Sequence, residues 1–291
     1  MYNKFLEYLL DNDPEKCISK AGIRFRKIIS PLVRLVTPLT IPRKLKVIRR
    51  AKMPNAPVIF AAAHWFKEDA ECTLLTAGKH AYMLIGALEQ CFRSFQGVTA
   101  WLIGPIFVNR LDKASRKASK EKAIRAINLG ASLIIFPEGT WNKSPNKPIV
   151  GLFPGVYDIA KATGALVAPI ATHREGKFVY GILDECFDIT QYSRKEGMLV
   201  LKDKLATLRW ELMEKYSPGY LKDMPLPEEA DAYWENYING LMAEVKYYEY
   251  EAELHTKFID KNIVESSEAF AHLLDLQPNH NNAFLFNKRL K

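Results

Sequence analysis

The chain has no apolar run long enough to span a bilayer. Its longest, Ala56 to Phe66, is about half of the roughly 20 residues a spanning helix needs, and it contains His64. Cysteine is scarce: Cys17, Cys72, Cys91 and Cys186 show neither the short spacings of a zinc site or redox pair nor the density of a disulfide framework. That usage fits a reducing cytoplasm. A signal peptide is not expected either, because MYNKFLEYLLDNDPEK carries acidic residues where one would need an uninterrupted apolar stretch.

Acidic residues are also few over most of the chain. Residues 1–222 carry 35 basic against 20 acidic side chains, whereas 223–291 carry 6 against 13. A basic body attracts polyanions, whether nucleic acid, anionic lipid headgroups or phosphorylated small molecules, and charge alone does not choose among them. The reversal marks 218–291 as a separate acidic appendage. Its Pro227–Leu254 stretch has a helical pattern, and Phe270–Leu290 resembles half of a helical repeat.

Apolar residues in Ile18–Ile41 (Ile23, Phe25, Ile28, Ile29, Leu32, Val33, Leu35, Val36) alternate with Arg24, Arg26, Lys27 and Arg34. That composition suits an interfacial helix whose cations meet anionic lipid while its apolar side enters the acyl boundary. An ordinary amphipathic helix packed on the body is the alternative. Pro31 and Pro38 predict two short helices or a kink. Lys44, Lys46, Arg49, Arg50 and Lys52 extend the basic surface.

From Lys44 to about Tyr180, strand-like apolar runs alternate with helical stretches. Val58–Ala63, Tyr82–Ile85, Ser132–Phe136, Ala165–Ile170 and Phe178–Phe187 read as strands, and Trp101–Val108 as apolar residues leading through Gly104-Pro105 into another short run. Lys113–Asn128, Gly155–Thr163 and Gly197–Tyr216 read as helices. The order helix, glycine, strand occurs twice, at Gly130 and Gly164, which favours parallel crossovers. The expected class is therefore α/β, with a mixed, largely parallel sheet flanked by helices. It is divided into N-terminal amphipathic membrane-contact helices (1–43), a main domain (44–217) and a helical appendage (218–291).

Three motifs carry candidate chemistry. His64 ends a buried strand and Asp69 follows five residues later, a span that on a regular helix would splay the two side chains by about 140°. His64 must therefore sit in the turn before the helix. There its imidazole can take a proton from an alcohol while a carboxylate holds the other ring nitrogen. Glu68 competes with Asp69 for that role but should point elsewhere once the helix begins. No Ser or Cys adjoins His64, which points to direct attack by an acceptor hydroxyl. Phe136-Pro137-Glu138-Gly139-Thr140 places a carboxylate, a flexible backbone position and a hydroxyl directly after a strand, where polar groups converge on a ligand or simply form a tight turn. Gly104 to Arg110 ends in a guanidinium suited to phosphate, followed by Lys113, Arg116, Lys117 and Lys120 on a helix whose cations a solvated face also explains.

In chain order, His64–Asp69, Gly104–Arg110, Phe136–Thr140 and Val167–Ile170 resemble the four sequence blocks of the glycerolipid and lysophospholipid acyltransferase family, the bacterial 1-acylglycerol-3-phosphate enzymes most of all. The resemblance covers roughly residues 20–215. It implies an enzyme on the cytoplasmic face of the membrane, peripheral or monotopic. Such an enzyme moves a fatty acyl group from acyl-CoA or acyl carrier protein to the free hydroxyl of lysophosphatidic acid, needing no cofactor or metal and no nucleic acid. It further implies that His64 is the general base, that Asp69 orients it, that Arg110 binds the acceptor phosphate, and that Glu138, Gly139 and Thr140 line the acceptor pocket. Lys113, Arg116 and Lys143 are further possible phosphate contacts. Ala63 stands where the family has Asn, Trp141 where it has Arg, and Phe153-Pro154-Gly155 where relatives often carry cations. The acceptor could therefore be another lysophospholipid or a lyso-aminolipid. An inactive protein that binds anionic membrane or nucleic acid is the reading from a different class.

Overall fold

The computed structural model describes residues 11–66, 68–86, 96–142 and 148–216, with positions 232, 236 and 239. Apart from those three positions, the helices expected in the acidic appendage lie outside them, as do Cys91 and Lys143.

The described strands β1 (Lys44–Arg50), β2 (Val58–Ala62), β3 (Ala81–Ile85), β4 (Pro105–Phe107), β5 (Ser132–Ile135), β6 (Leu166–Glu175) and β7 (Phe178–Leu183) form one sheet in the order β1-β7-β6-β2-β5-β3-β4. Every pairing is parallel except β6 with β7, a hairpin that turns at Gly176 (φ 53°). The central strands β2 and β5 are buried at every residue, as expected where helices cover both faces.

Alternation along β2 divides the core. Val58, Phe60 and Ala62 pack towards α2 (Lys20–Thr40) and α3 (Asp69–Ala77), joined by Ile103 at the end of α4 (Gln96–Ile103). Ile59 and Ala61 pack towards α5 (Lys113–Asn128), α6 (Gly155–Thr163) and α7 (Arg194–Tyr216). Local signals set the helix ends: Asp112 accepts from the amides of Ala114 and Ser115 to start α5, and Gly164 at φ 69° ends α6.

The mixed, largely parallel sheet flanked by helices is thus as expected; β7, expected to reach Phe187, ends at Leu183, and four further local differences stand out. The N-terminal segment holds a four-residue helix α1 (Pro14–Cys17) and one 21-residue helix α2, not a pair of short helices broken at the prolines. Pro31 and Pro38 each remove a backbone donor, but α2 is anchored along its length. Ile23 and Val33 enter the core, Lys27 Nζ donates to Gly130 O at 2.7 Å, and Arg34 donates to Gly78 O. Thr37 Oγ1 and Arg34 Nε also donate to carbonyls of α2 itself. Second, Lys44–Arg50 is not merely basic surface but the edge strand β1. Its exposed cations disguise the pattern and protect the edge from further pairing. Third, Trp101–Ile103 ends a helix instead of belonging to a strand-like run. Fourth, β6 continues to Glu175 because the β7 hairpin extends its ladder.

The amphipathic face of α2 is turned outward. Phe25, Ile28, Leu32, Leu35 and Leu39, spaced three and four apart, are all exposed, Leu39 to 84%. Among the described residues, no helix is long and apolar enough to cross a membrane.

Candidate active site

The parallel strands deliver the sequence blocks to one edge of the sheet. His64 follows β2, the Glu138 turn follows β5, and Arg110 follows β4, so three loops leave the carboxyl ends of strands that lie side by side or one apart. The fourth block lies within β6, where Ala61 pairs with Pro169 and Ala62 with Ile170.

Asp69 is the first residue of α3 and is fully buried. Both its oxygens stand 2.9 Å from His64 Nδ1, and Oδ2 also accepts from the amides of Trp65 at 2.7 Å and Phe66 at 3.2 Å. A carboxylate that already accepts from two amides presents an acceptor to the ring, so in the neutral imidazole Nδ1 carries the proton and Nε2 the lone pair. No described residue bonds Nε2, and the side chain is 21% exposed. Phe136 lies against the imidazole at 4.4 Å between ring centroids, and Trp141 meets it edge-on at 6.0 Å. Glu68 points elsewhere, accepting from Arg43 at 2.7 Å.

Glu138 is buried completely and is a clamp on the backbone. Its Oε1 accepts from the His64 amide at 2.9 Å and its Oε2 from the Val150 amide at 3.0 Å. Burial pushes its carboxyl up from the ordinary range, while the charge of Arg209 and the two amide donors pull it back. Asn142 completes the clamp by donating its backbone N–H to His64 O at 2.6 Å. Gly139 turns the chain at φ 74°, and a Cβ there would meet the Phe153 ring at 2.7 Å. Arg110 donates to Gly139 O, and Arg116 donates to Arg110 O at 2.6 Å. His64, Glu138, Gly139 and Arg110 are therefore joined through the Glu138 turn. Thr140 is buried beside them, whereas Lys113 is exposed at the start of α5.

Sequence reasoning missed the layer behind the histidine. Trp65 is stacked on His173 at 5.4 Å, the Arg209 guanidinium lies over the Trp65 ring at 4.7 Å, and Trp65 Nε1 donates to Thr172 O at 2.9 Å. Arg209 is a buried cation on a helix that otherwise offers apolar residues to the core, and that contrast was the one available signal.

Burial pushes both His173 and His80 down to about 4, with neighbouring cations adding to the effect. A histidine held below its unfolded value near 6.5 binds fewer protons in the folded state between those limits. Its stabilising contribution is therefore complete above pH 6.5 and is lost as pH falls towards 4, up to about 3 kcal/mol for each ring. Denaturant melts at pH 7 and pH 4.5 should show this loss, and His173→Phe, which keeps an aromatic ring on Trp65, should remove about half of it.

A family model described as Acyltransferase matches residues 8–173. The 1-acyl-sn-glycerol-3-phosphate acyltransferase of Borreliella burgdorferi is 29% identical over 107 residues, which are 37% of this chain and 39% of that protein. A protein of the same description from Chlamydomonas reinhardtii is 25% identical over 129 residues, covering 44% of this chain and 38% of its own. The chain thus spans about two fifths of the length of the curated relatives it matches. Among solved structures, the 1-acyl-sn-glycerophosphate (LPA) acyltransferase PlsC from Thermotoga maritima aligns with a TM-score of 0.49 at 19% identity, over 71% of this chain and 89% of that one.

Proposed function

Because this chain belongs to the acyltransferase family, we propose that it transfers a fatty acyl group from a thioester, acyl-CoA or acyl carrier protein, to the free hydroxyl of 1-acylglycerol-3-phosphate, giving phosphatidic acid. The observation that carries the reading is the pair of 2.9 Å contacts between His64 Nδ1 and Asp69, which leaves Nε2 as the base. Nε2 takes the acceptor proton as the hydroxyl oxygen attacks the thioester carbonyl. Asp69 stabilises the imidazolium, the tetrahedral intermediate expels the thiolate, and His64 returns the proton to that sulfur.

Glu138 acts in this scheme by fixing the His64 backbone. Arg110, at the same turn, supplies positive charge for the acceptor phosphate, and Thr140 and Gly139 shape the pocket beside it. The buried Trp141 offers no charge where relatives have Arg, so the phosphate must draw on Arg110, with Arg116 and Lys113 beyond it. That same tryptophan favours one second reading, an acceptor with a less acidic headgroup such as a lyso-aminolipid.

The outward stripe of α2 lays the protein on a membrane, bringing the active site to lipid substrates. Each such side chain contributes about 1.5–3 kcal/mol when fully withdrawn from water. Two measurements test the proposal. With both donors and a panel of lysolipids, turnover should be highest on lysophosphatidic acid, and a preference for a lyso-aminolipid would replace the acceptor. Flotation with phosphatidylcholine vesicles should lose the protein when Leu32→Glu and Leu35→Glu are combined, since both positions are already exposed.

A further inference from the structure

A cleft of about 270 Å³ opens between α2 and the amino ends of β3 and β5, opposite the sheet edge that carries His64. Lys27, Arg34 and Lys79 line it together with Ser30, Pro31 and His80. Among the described residues, none of the three cations has a carboxylate partner. Lys27 donates to Gly130 O, Arg34 to Gly78 O, and Lys79 to the carbonyls of Pro54 at 3.1 Å and Ala56 at 2.6 Å. Gly78 caps α3 and Gly130 follows the end of α5, so part of this charge answers two helix carboxyl ends. Those ends together supply only roughly one negative charge against three positive. An excess of about two positive charges remains, which matches a phosphate monoester.

Two further observations point the same way. Burial, with the neighbouring charge of Lys27 adding to it, pulls the Lys79 ammonium down. His80 donates Nε2–H to Ile103 O at 3.0 Å, while its Nδ1 is buried without a hydrogen-bond partner among the described residues, an acceptor left over at the wall of the cleft. Around the helix axis, Lys27 and Arg34 lie roughly 120–140° from the centre of the exposed stripe, and Pro31 lies about 80° from it. With the stripe in the acyl layer, the cleft opens at headgroup depth.

We propose that this cleft is a second anion site, distinct from the active site, which takes the phosphate group of a phosphomonoester lipid headgroup. The lipid source rests on the membrane placement proposed above, whereas the phosphate chemistry does not. Pro31→Glu sets a carboxylate among the cations, removes no hydrogen bond and favours the helix. Pro31→Gln controls for loss of the proline, and Lys161→Gln controls for loss of one charge.

The full chain is melted in inorganic phosphate and in chloride at equal ionic strength, then floated with phosphatidylcholine vesicles with or without phosphatidic acid. Phosphate should raise the melting temperature of wild type and Pro31→Gln by about 2–4 °C at tenfold excess over its dissociation constant, but not that of Pro31→Glu. Phosphatidic acid should strengthen vesicle binding of wild type, Pro31→Gln and Lys161→Gln, with Pro31→Glu about fivefold or more weaker. The Leu32→Glu/Leu35→Glu pair should lose vesicles of both kinds yet keep the phosphate shift, which separates failure of membrane docking from failure of the site. A phosphate shift without any phosphatidic acid preference would overturn the lipid source and leave a site for free phosphate. Equal behaviour of Pro31→Glu and Pro31→Gln in both measurements would overturn the site.

Discussion

Asp69→Asn should lower acyl transfer by about 10³- to 10⁴-fold with little change in folding, and His64→Ala should lower it by about 10²- to 10⁴-fold. Asparagine has the shape of aspartate, and its single carbonyl oxygen can still accept from the Trp65 and Phe66 amides. Its amide group then faces His64 Nδ1 as a donor. The ring answers by moving its proton to Nε2, where the lone pair had been, and so can no longer accept the substrate proton. Initial rates and thermal melts of the same preparations check this. Asp69→Asn turnover above about a tenth of wild type would contradict the tautomer argument.

Glu138→Gln should destabilise the fold by about 2–4 kcal/mol and lower kcat by roughly a hundredfold, leaving KM for the acceptor nearly unchanged. Both carboxylate oxygens accept from backbone amides, those of His64 and Val150. Glutamine offers one oxygen, so its amide must confront one of these donors at a fully buried position close to the charge of Arg209. The His64 backbone then shifts, and the imidazole shifts with it. Denaturant melts and steady-state kinetics separate the possibilities: a raised KM with unchanged stability would make Glu138 an acceptor contact instead of a backbone clamp.

The sequence carried the central fold because local rules and burial agree there. Val58–Ala62 and Ser132–Ile135 read as buried strands and are buried at every residue. Lys113–Asn128 and Gly155–Thr163 match the observed helices because polar or glycine signals mark their ends. The pattern failed where tertiary contacts override local preference. Two prolines could not reveal that Lys27 and Arg34 moor α2 to helix ends far away in the chain, nor could the cations of β1 reveal that an edge strand lies beneath them.

The five-residue interval placed His64 before a helix and Asp69 within it, and the structure brings the two side chains into contact. The use of Glu138 on backbone amides was hidden, because a motif names a carboxylate without saying which donors reach it. Arg209 lies 145 residues beyond His64 in a helix outside the matched family region, and only folding sets its charge near Glu138. The α2 stripe was legible as a face, but two readings of it stayed open, lipid-facing or packed on the body, since periodicity defines a face but not what that face meets.

The measurement that bears most directly on the central claim is the initial rate of phosphatidic acid formation from lysophosphatidic acid and an acyl thioester, taken for wild type, His64→Ala and Asp69→Asn folded to the same extent. The account predicts product from wild type and a fall to near background in both variants. Undiminished turnover in His64→Ala would contradict it.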